Sequence, residues 1–281
     1  MGLLPLTSAL MLIRDGFSAD PDDAFMFWGL ASGTVDPQGF EFEPAIQDIQ
    51  TLNEWALEGR LEVTAMSLAT YPLVHERYAL LAHGASIGSG YGPIVVAQER
   101  LTLDVLRETE IVVPGTLTTA FLVLKLALGG EFAYRVLPFD EIQPEVAAGR
   151  ARAGLLIHEG QLTYRDEGLE KCLDLGEWWL LETGLPLPLG VNTVRRDIGD
   201  DAVRTVSEVL RASITAALAN REEALDYALG FGRGMDAERG DRFIGMYVNE
   251  LTQDYGDEGR EAVRELLSRA HLGDFRVEWV Q

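Results

Sequence analysis

The chain has 281 residues, 47% of them apolar, which is enough to bury a sizeable core in one large domain or two smaller ones and excludes a disordered chain. Asp and Glu number 45 against 23 Lys and Arg, a net charge of −22, which lacks the basic surface that nucleic-acid and anionic-membrane binders use. Only Lys125 and Lys171 among the cations are Lys, an Arg bias that fits a high-salt habitat and GC-rich codon usage equally well and names no function.

Cys172 is the only cysteine, which rules out an intramolecular disulfide or a Cys-based metal site. His75, His83, His158 and His271 form no His-x-x-x-His pair, so no zinc pattern emerges. No apolar run reaches the ~18 residues of a membrane span. The stretch Met1–Arg14 has no basic start and no clear small-residue cleavage site. A second Met, Met11, directly precedes the first strand-like run, so residues 1–10 read as a disordered extension of a cytoplasmic protein.

In chain order, Leu12 to Phe17 predicts a strand, the turn-rich Ser18 to Asp23 a loop, and Ala24 to Leu30 a helix with Asp side chains at its N-terminus. Asp48 to Gly59 predicts a helix with Ile49, Leu52, Trp55 and Ala56 on one face, and Leu61 to Ser67 a strand. Gly88 to Pro93 reads as flexible, followed by strands at Ile94–Ala97 and Ile111–Val113. Pro114-Gly115 then leads into a helix over Thr118–Leu128 that stops at Gly129-Gly130. Ala153–Ile157 predicts a strand ending on His158-Glu159, and Leu189–Val194 one more. Beyond Asp200, Val203, Val206, Leu210, Ile214 and Ala217 keep helical spacing, with two further helices near 222–229 and 260–270.

Strands separated by helices predict an α/β architecture with largely parallel strands. The glycine-rich segments at 88–92 and around Gly190–Thr193 bracket about a hundred residues. They read as two crossings between lobes: residues 11–92 with 192–281 forming one, and 93–191 the other, with a ligand cleft between them.

Four segments could carry chemistry. His158, at the C-terminal end of a buried strand, lies where ligands collect in open α/β sheets and titrates near working pH; it reads as a general base or as a hydrogen-bonded strand-end residue. Pro114 to Ala120 joins a strand to a helix, offering N–H groups and Thr hydroxyls to an anion, or simply a capped helix; it lacks the Gly-Lys-Ser/Thr ending of a P-loop. Asp20, Asp22 and Asp23 in one loop suit a hard cation, a polyhydroxylated ligand or a solvated capping turn. Ser67 ends a strand without a G-x-S-x-G elbow, against a serine hydrolase. Trp178-Trp179 and Thr183–Pro188 read as packing and a rigid connection between lobes.

Phe17–Phe25, Thr51–Gly59, Gly88–Val96, Pro114–Ala120, Leu156–Glu159 and Thr183–Gly190, occurring in that order, resemble the 1,4-dihydroxy-6-naphthoate synthases of the futalosine route to menaquinone, from about residue 11 to 255. The resemblance implies a two-lobed fold like that of type 2 periplasmic binding proteins. It also implies a lyase that splits cyclic dehypoxanthine futalosine into the naphthoate and a three-carbon fragment without metal or organic cofactor. The family's base falls on His158, and its ligand contacts fall on Ala65, Met66 and Ser67 and on Thr118, Thr119 and Ala120. Where the family writes Ser-Pro-Cys-Pro-Asn-Asp-Thr-Phe, this chain has Asp20 for Cys, Asp22 for Asn and Ala24 for Thr, and Ala65 stands where Lys is common. Asp20 and Asp22 thus become candidate substrate contacts suited to a less anionic ligand. The expected partner is a small molecule, not nucleic acid or membrane. The alternatives are a solute-binding protein of the same fold and the sister chorismate dehydratase branch.

Overall fold

The computed structural model describes residues 10–232, 235–270 and 277–281; residues 1–9 of the expected extension and His271 lie outside them. Twelve strands are described: β1 (Met11–Ser18), β2 (Phe40–Gln47), β3 (Val63–Ser67), β4 (Tyr78–Leu81), β5 (Ser86–Gly88), β6 (Ile94–Ala97), β7 (Ile111–Val113), β8 (Tyr134–Val136), β9 (Ala153–Leu156), β10 (Glu170–Asp174), β11 (Leu187–Arg195) and β12 (Trp279–Val280). They form two sheets. The first runs β12-β4-β11-β3-β1-β2, with β5 also on β11; the second runs β10-β6-β9-β7-β8.

Both sheets are mixed, which corrects the expectation of largely parallel strands. β1 pairs in parallel with β2 and β3, and β7 with β8 and β9. β11, however, runs antiparallel to β3, β4 and β5, and β6 runs antiparallel to β9 and β10. The reversed strands β6 and β11 follow the segments that carry the chain from one sheet to the other, so they enter their sheets against the βαβ direction.

The helices expected from periodicity are present, and three of them begin at a side-chain cap. Asp20 caps Pro21–Ala31 and Asp48 caps Ile49–Glu58, which Gly59 closes at φ +72°. Thr118 caps Thr119–Leu128, and the long helix Asp200–Ala219 buries Val203, Val206, Leu210, Ile214 and Ala217 as its spacing requires. That helix packs on Pro21–Ala31 through Gly29, where a Cβ would lie 2.7 Å from the Ser213 Cα, and the Ser213 hydroxyl donates to the Met26 carbonyl at 2.8 Å. The second half of the Pro21 helix is thereby held along the Asp200 helix.

Segment 88–93 is packed rather than flexible. The Tyr91 hydroxyl donates to the Met246 carbonyl, and a Cβ on Gly176 would fall 2.0 Å from the Tyr91 carbonyl oxygen. Glycine is used here for backbone-to-backbone approach. Trp179 is fully buried in the helix Leu175–Thr183 and donates to the Pro186 carbonyl at 3.1 Å, as a packing role requires. Sequence periodicity passed over β2 because Pro44 interrupts it; as the outermost strand beside β1, it can carry a residue without an N–H. The helix Ala237–Tyr247 was also passed over, its pattern diluted by Gly240 and Gly245. Among the described residues, no helix is long and apolar enough to cross a membrane.

Candidate active site

A pocket of about 640 Å³, its open mouth included, collects every residue the sequence nominated: Asp20, Asp22, Ala65, Met66, Ser67, Thr118, Thr119, Ala120 and His158. Four chain segments deliver them. β1 ends at Ser18 and hands over to the capped helix of Asp20; β3 carries Ala65 to Ser67; the Thr119 helix points its N-terminus inward; and β9 ends two residues before His158.

His158 sits at φ +52°, one of two non-glycine residues at positive φ among the described residues. A left-handed backbone at a pocket residue costs of order 1 kcal/mol and is kept only where the surroundings impose it. The imposition is visible. The imidazole Nδ1 lies 2.6 Å from Asp20 Oδ2, and the Phe139 ring stands edge-on with centroids 4.9 Å apart. Burial opposes a charged imidazole, but the adjacent Asp20 outweighs it and holds the pKa of His158 above the ordinary histidine value.

The acidic loop is not a solvated turn: Asp20, Asp22 and Asp23 are 3%, 6% and 8% exposed. It does cap its helix, since Asp20 accepts from the Asp23 N–H at 3.3 Å. The Ser18 hydroxyl donates to Asp20, the Ser18 N–H to Asp23 at 2.8 Å, and the Ser86 hydroxyl to Asp22 at 2.9 Å. The three acids do not share the charge evenly. Burial favours the neutral form of Asp20, yet His158 and the hydrogen bonds bring its pKa down to about 2. Burial, with the Asp20 charge beside it, pushes Asp22 well above the carboxylate range and Asp23 up to about 7.

Ser67 is fixed by Asn53, whose side chain accepts from the Ser67 N–H at 2.8 Å and donates to its hydroxyl oxygen at 3.0 Å. That leaves the hydroxyl hydrogen of Ser67 available to a ligand. Thr119 is different: its hydroxyl donates to the Leu189 carbonyl at 2.7 Å and accepts from the Ala69 N–H at 3.2 Å. The Thr118 hydroxyl likewise donates to Gly115 at 2.9 Å and accepts from Phe121 at 3.1 Å. The Thr hydroxyls therefore build the loop, and the helix N-terminus offers its backbone N–H groups instead.

Sequence reasoning missed several residues in the wall of the pocket and directly behind it. Asn53 lies buried on an amphipathic helix, where a polar residue on the inner face was the available signal. Asn192 lies opposite Ala65 on β11, 2% exposed and with Oδ1 unpartnered; Tyr247 donates to Gln161 at 2.6 Å across another wall. Among the described lining residues, Asp20, Asp22, Asp23 and His158 are the ionisable acids and His, and neither Lys nor Arg is present.

The family model described as "Menaquinone biosynthesis" matches residues 13–272. A 1,4-dihydroxy-6-naphthoate synthase of Thermus thermophilus is 43% identical over 258 residues, covering 92% of this chain and 93% of that protein. One from Streptomyces coelicolor is 39% identical over 263 residues, covering 92% of each. The crystal structure of protein AF1704 from Archaeoglobus fulgidus superposes with a TM-score of 0.88 at 44% identity, over 92% of this chain and 96% of that one. A Candida albicans protein described as having the generic periplasmic binding protein fold superposes at 0.69 with 12% identity, over 95% and 92% of the two chains, which speaks for the fold alone. The two-sheet α/β fold is that of periplasmic binding proteins, as expected, and the chain belongs to the menaquinone-biosynthesis family as an enzyme whose curated relatives are named 1,4-dihydroxy-6-naphthoate synthase.

Proposed function

We propose that the protein is a cytoplasmic carbon–carbon lyase that converts cyclic dehypoxanthine futalosine to 1,4-dihydroxy-6-naphthoate, with His158 as general base. The observation that carries this reading is His158 in the pocket, its Nδ1 held 2.6 Å from Asp20. Breaking a bond beside a ring that becomes aromatic supplies much of the driving force. The protein has to take one proton, steady a developing oxyanion and exclude water. His158 takes the proton. The Ser67 hydroxyl and the backbone N–H groups of Thr119 and Ala120 face the oxyanion, while Ala65 and Met66 form the apolar floor.

A related, less anionic substrate is the second reading. It is favoured by the absence of Lys and Arg from the described lining residues and by Asp20 and Asp22 within them. We also propose that residues 11–92 with 192–281 form one lobe and 93–191 the other, a reading supported by the division of the strands into two sheets.

The test is incubation of purified protein with cyclic dehypoxanthine futalosine, following the naphthoate by absorbance and mass. His158→Ala should lower kcat by ~10²–10⁴-fold with ligand affinity retained. Absence of turnover by the wild type, together with unaltered binding by the variant, sinks the lyase reading.

A further inference from the structure

We infer that Asp20 is a positioning residue rather than a substrate contact: its carboxylate receives the Nδ1 proton of His158 and leaves the imidazole lone pair on Nε2. The inference deepens the proposed role of His158 and rests on it.

Donors converge on Asp20: the His158 Nδ1–H at 2.6 Å, the Ser18 hydroxyl, the Asp23 N–H at 3.3 Å and the neighbouring Asp22 carboxyl. Asp22 receives the Ser86 hydroxyl at 2.9 Å on one oxygen, and its other oxygen is buried without a partner. A buried carboxylate is ionised where donors gather and protonated where they are lacking, so the negative charge sits on Asp20 and a proton on Asp22. An ionised carboxylate only accepts hydrogen bonds, which fixes the hydrogen of His158 on Nδ1. The left-handed backbone of His158 and the Phe139 ring leave the imidazole little freedom to turn away.

The charged and titratable groups acting on His158 are Asp20 and Asp23 at the start of the Pro21 helix and Glu159 on its own segment. All three favour the imidazolium, and Asp20 is the one in contact. A structural salt bridge would fix the same tautomer and raise the same midpoint, but it would leave kcat and its acidic limb where they are when Asp20 is replaced. The titration tests the contact, and the pH–rate profile with the kcat-against-KM split tests the role.

The experiment is ¹⁵N-imidazole NMR of His158 through a pH titration, paired with pH–rate profiles, on the full chain and on Asp20→Asn, Asp20→Ser and Asp22→Asn. Asn and Ser both keep a cap for the Pro21 helix, and Ser is too short to reach the ring, so loss of folding in one variant leaves the other as a probe. The wild type should show the Nδ1–H tautomer. Both Asp20 variants should lower the His158 midpoint by ~1–3 pH units, and the acidic limb of kcat should move with it. They should cut kcat by ~10²-fold or more while KM changes by less than ~3-fold. Asp22→Asn replaces a neutral carboxyl with a neutral amide and should leave the midpoint in place. An unmoved midpoint in the Asp20 variants, or an equal fall in Asp22→Asn, overturns the proposal. The titration needs no substrate: a midpoint that falls in a protein without turnover condemns the lyase reading alone, and turnover with an unmoved midpoint condemns this one alone.

Discussion

Asp15 lies within β1, three residues before Ser18, opposite Pro44 of β2 and Val63 of β3. It is 3% exposed, and its Oδ1 has no hydrogen-bond partner. Burial pushes its carboxyl up to about 7, against a hydrogen bond from its own backbone. A raised acid gives its stabilising contribution at low pH. Below the unfolded value, ~3.9, both states hold the proton; as pH climbs, the unfolded chain releases it first and folding loses ~1.4 kcal/mol per pH unit until the folded carboxyl ionises too. Across about three pH units the penalty reaches roughly 4 kcal/mol. Asp15→Asn should therefore be more stable than the wild type by up to about 4 kcal/mol near pH 8, with that advantage gone near pH 4. Urea unfolding followed by Trp fluorescence at a series of pH values measures the difference directly. A difference between the two proteins that stays flat across that range would refute the buried-acid argument, whatever its size.

Two other variants probe the scaffold of the pocket. Thr119→Val keeps the shape but strips the Ala69 N–H of its acceptor; Leu189 still receives the Leu68 N–H at 2.9 Å, so a single orphaned donor should cost ~1–3 kcal/mol in denaturant unfolding, and no loss would mean that the hydroxyl does not hold the loop. Gly176→Ala would place a Cβ 2.0 Å from the Tyr91 carbonyl, which should destabilise by roughly 3 kcal/mol and lower Tm by several degrees; an unchanged melting curve would count against the close backbone approach.

The fold was legible where periodicity and caps agreed. Asp48 with Gly59, Thr118 with Gly129 and the apolar stripe of the helix at 200–219 each announced a helix that the structure places within a residue or two. Strand direction was not legible, because a buried run such as Ile94–Ala97 is apolar on both faces whichever way it points. The gathering of the nominated residues around one pocket followed from strand ends and helix N-termini, which an α/β fold turns toward a common crevice. What their side chains do there depended on partners far along the chain. Asn53 holding Ser67, Leu189 taking the Thr119 proton, and Asp20 meeting His158 are contacts across 14, 70 and 138 positions that no local pattern encodes.

The Asp20–His158 contact joins the end of a strand in one sheet to the end of a strand in the other. Any motion that parts the sheets to admit a ligand also takes the imidazole away from its carboxylate. Parted, the histidine is an ordinary weak base, and Asp20 is an anion beside two further acids with no cation opposite. Together, the carboxylate strengthens the imidazole as a base, and once the ring is protonated the acids regain a counter-charge. On the proposed role of His158, its basicity belongs to the closed form, and a proton would be taken only after closure.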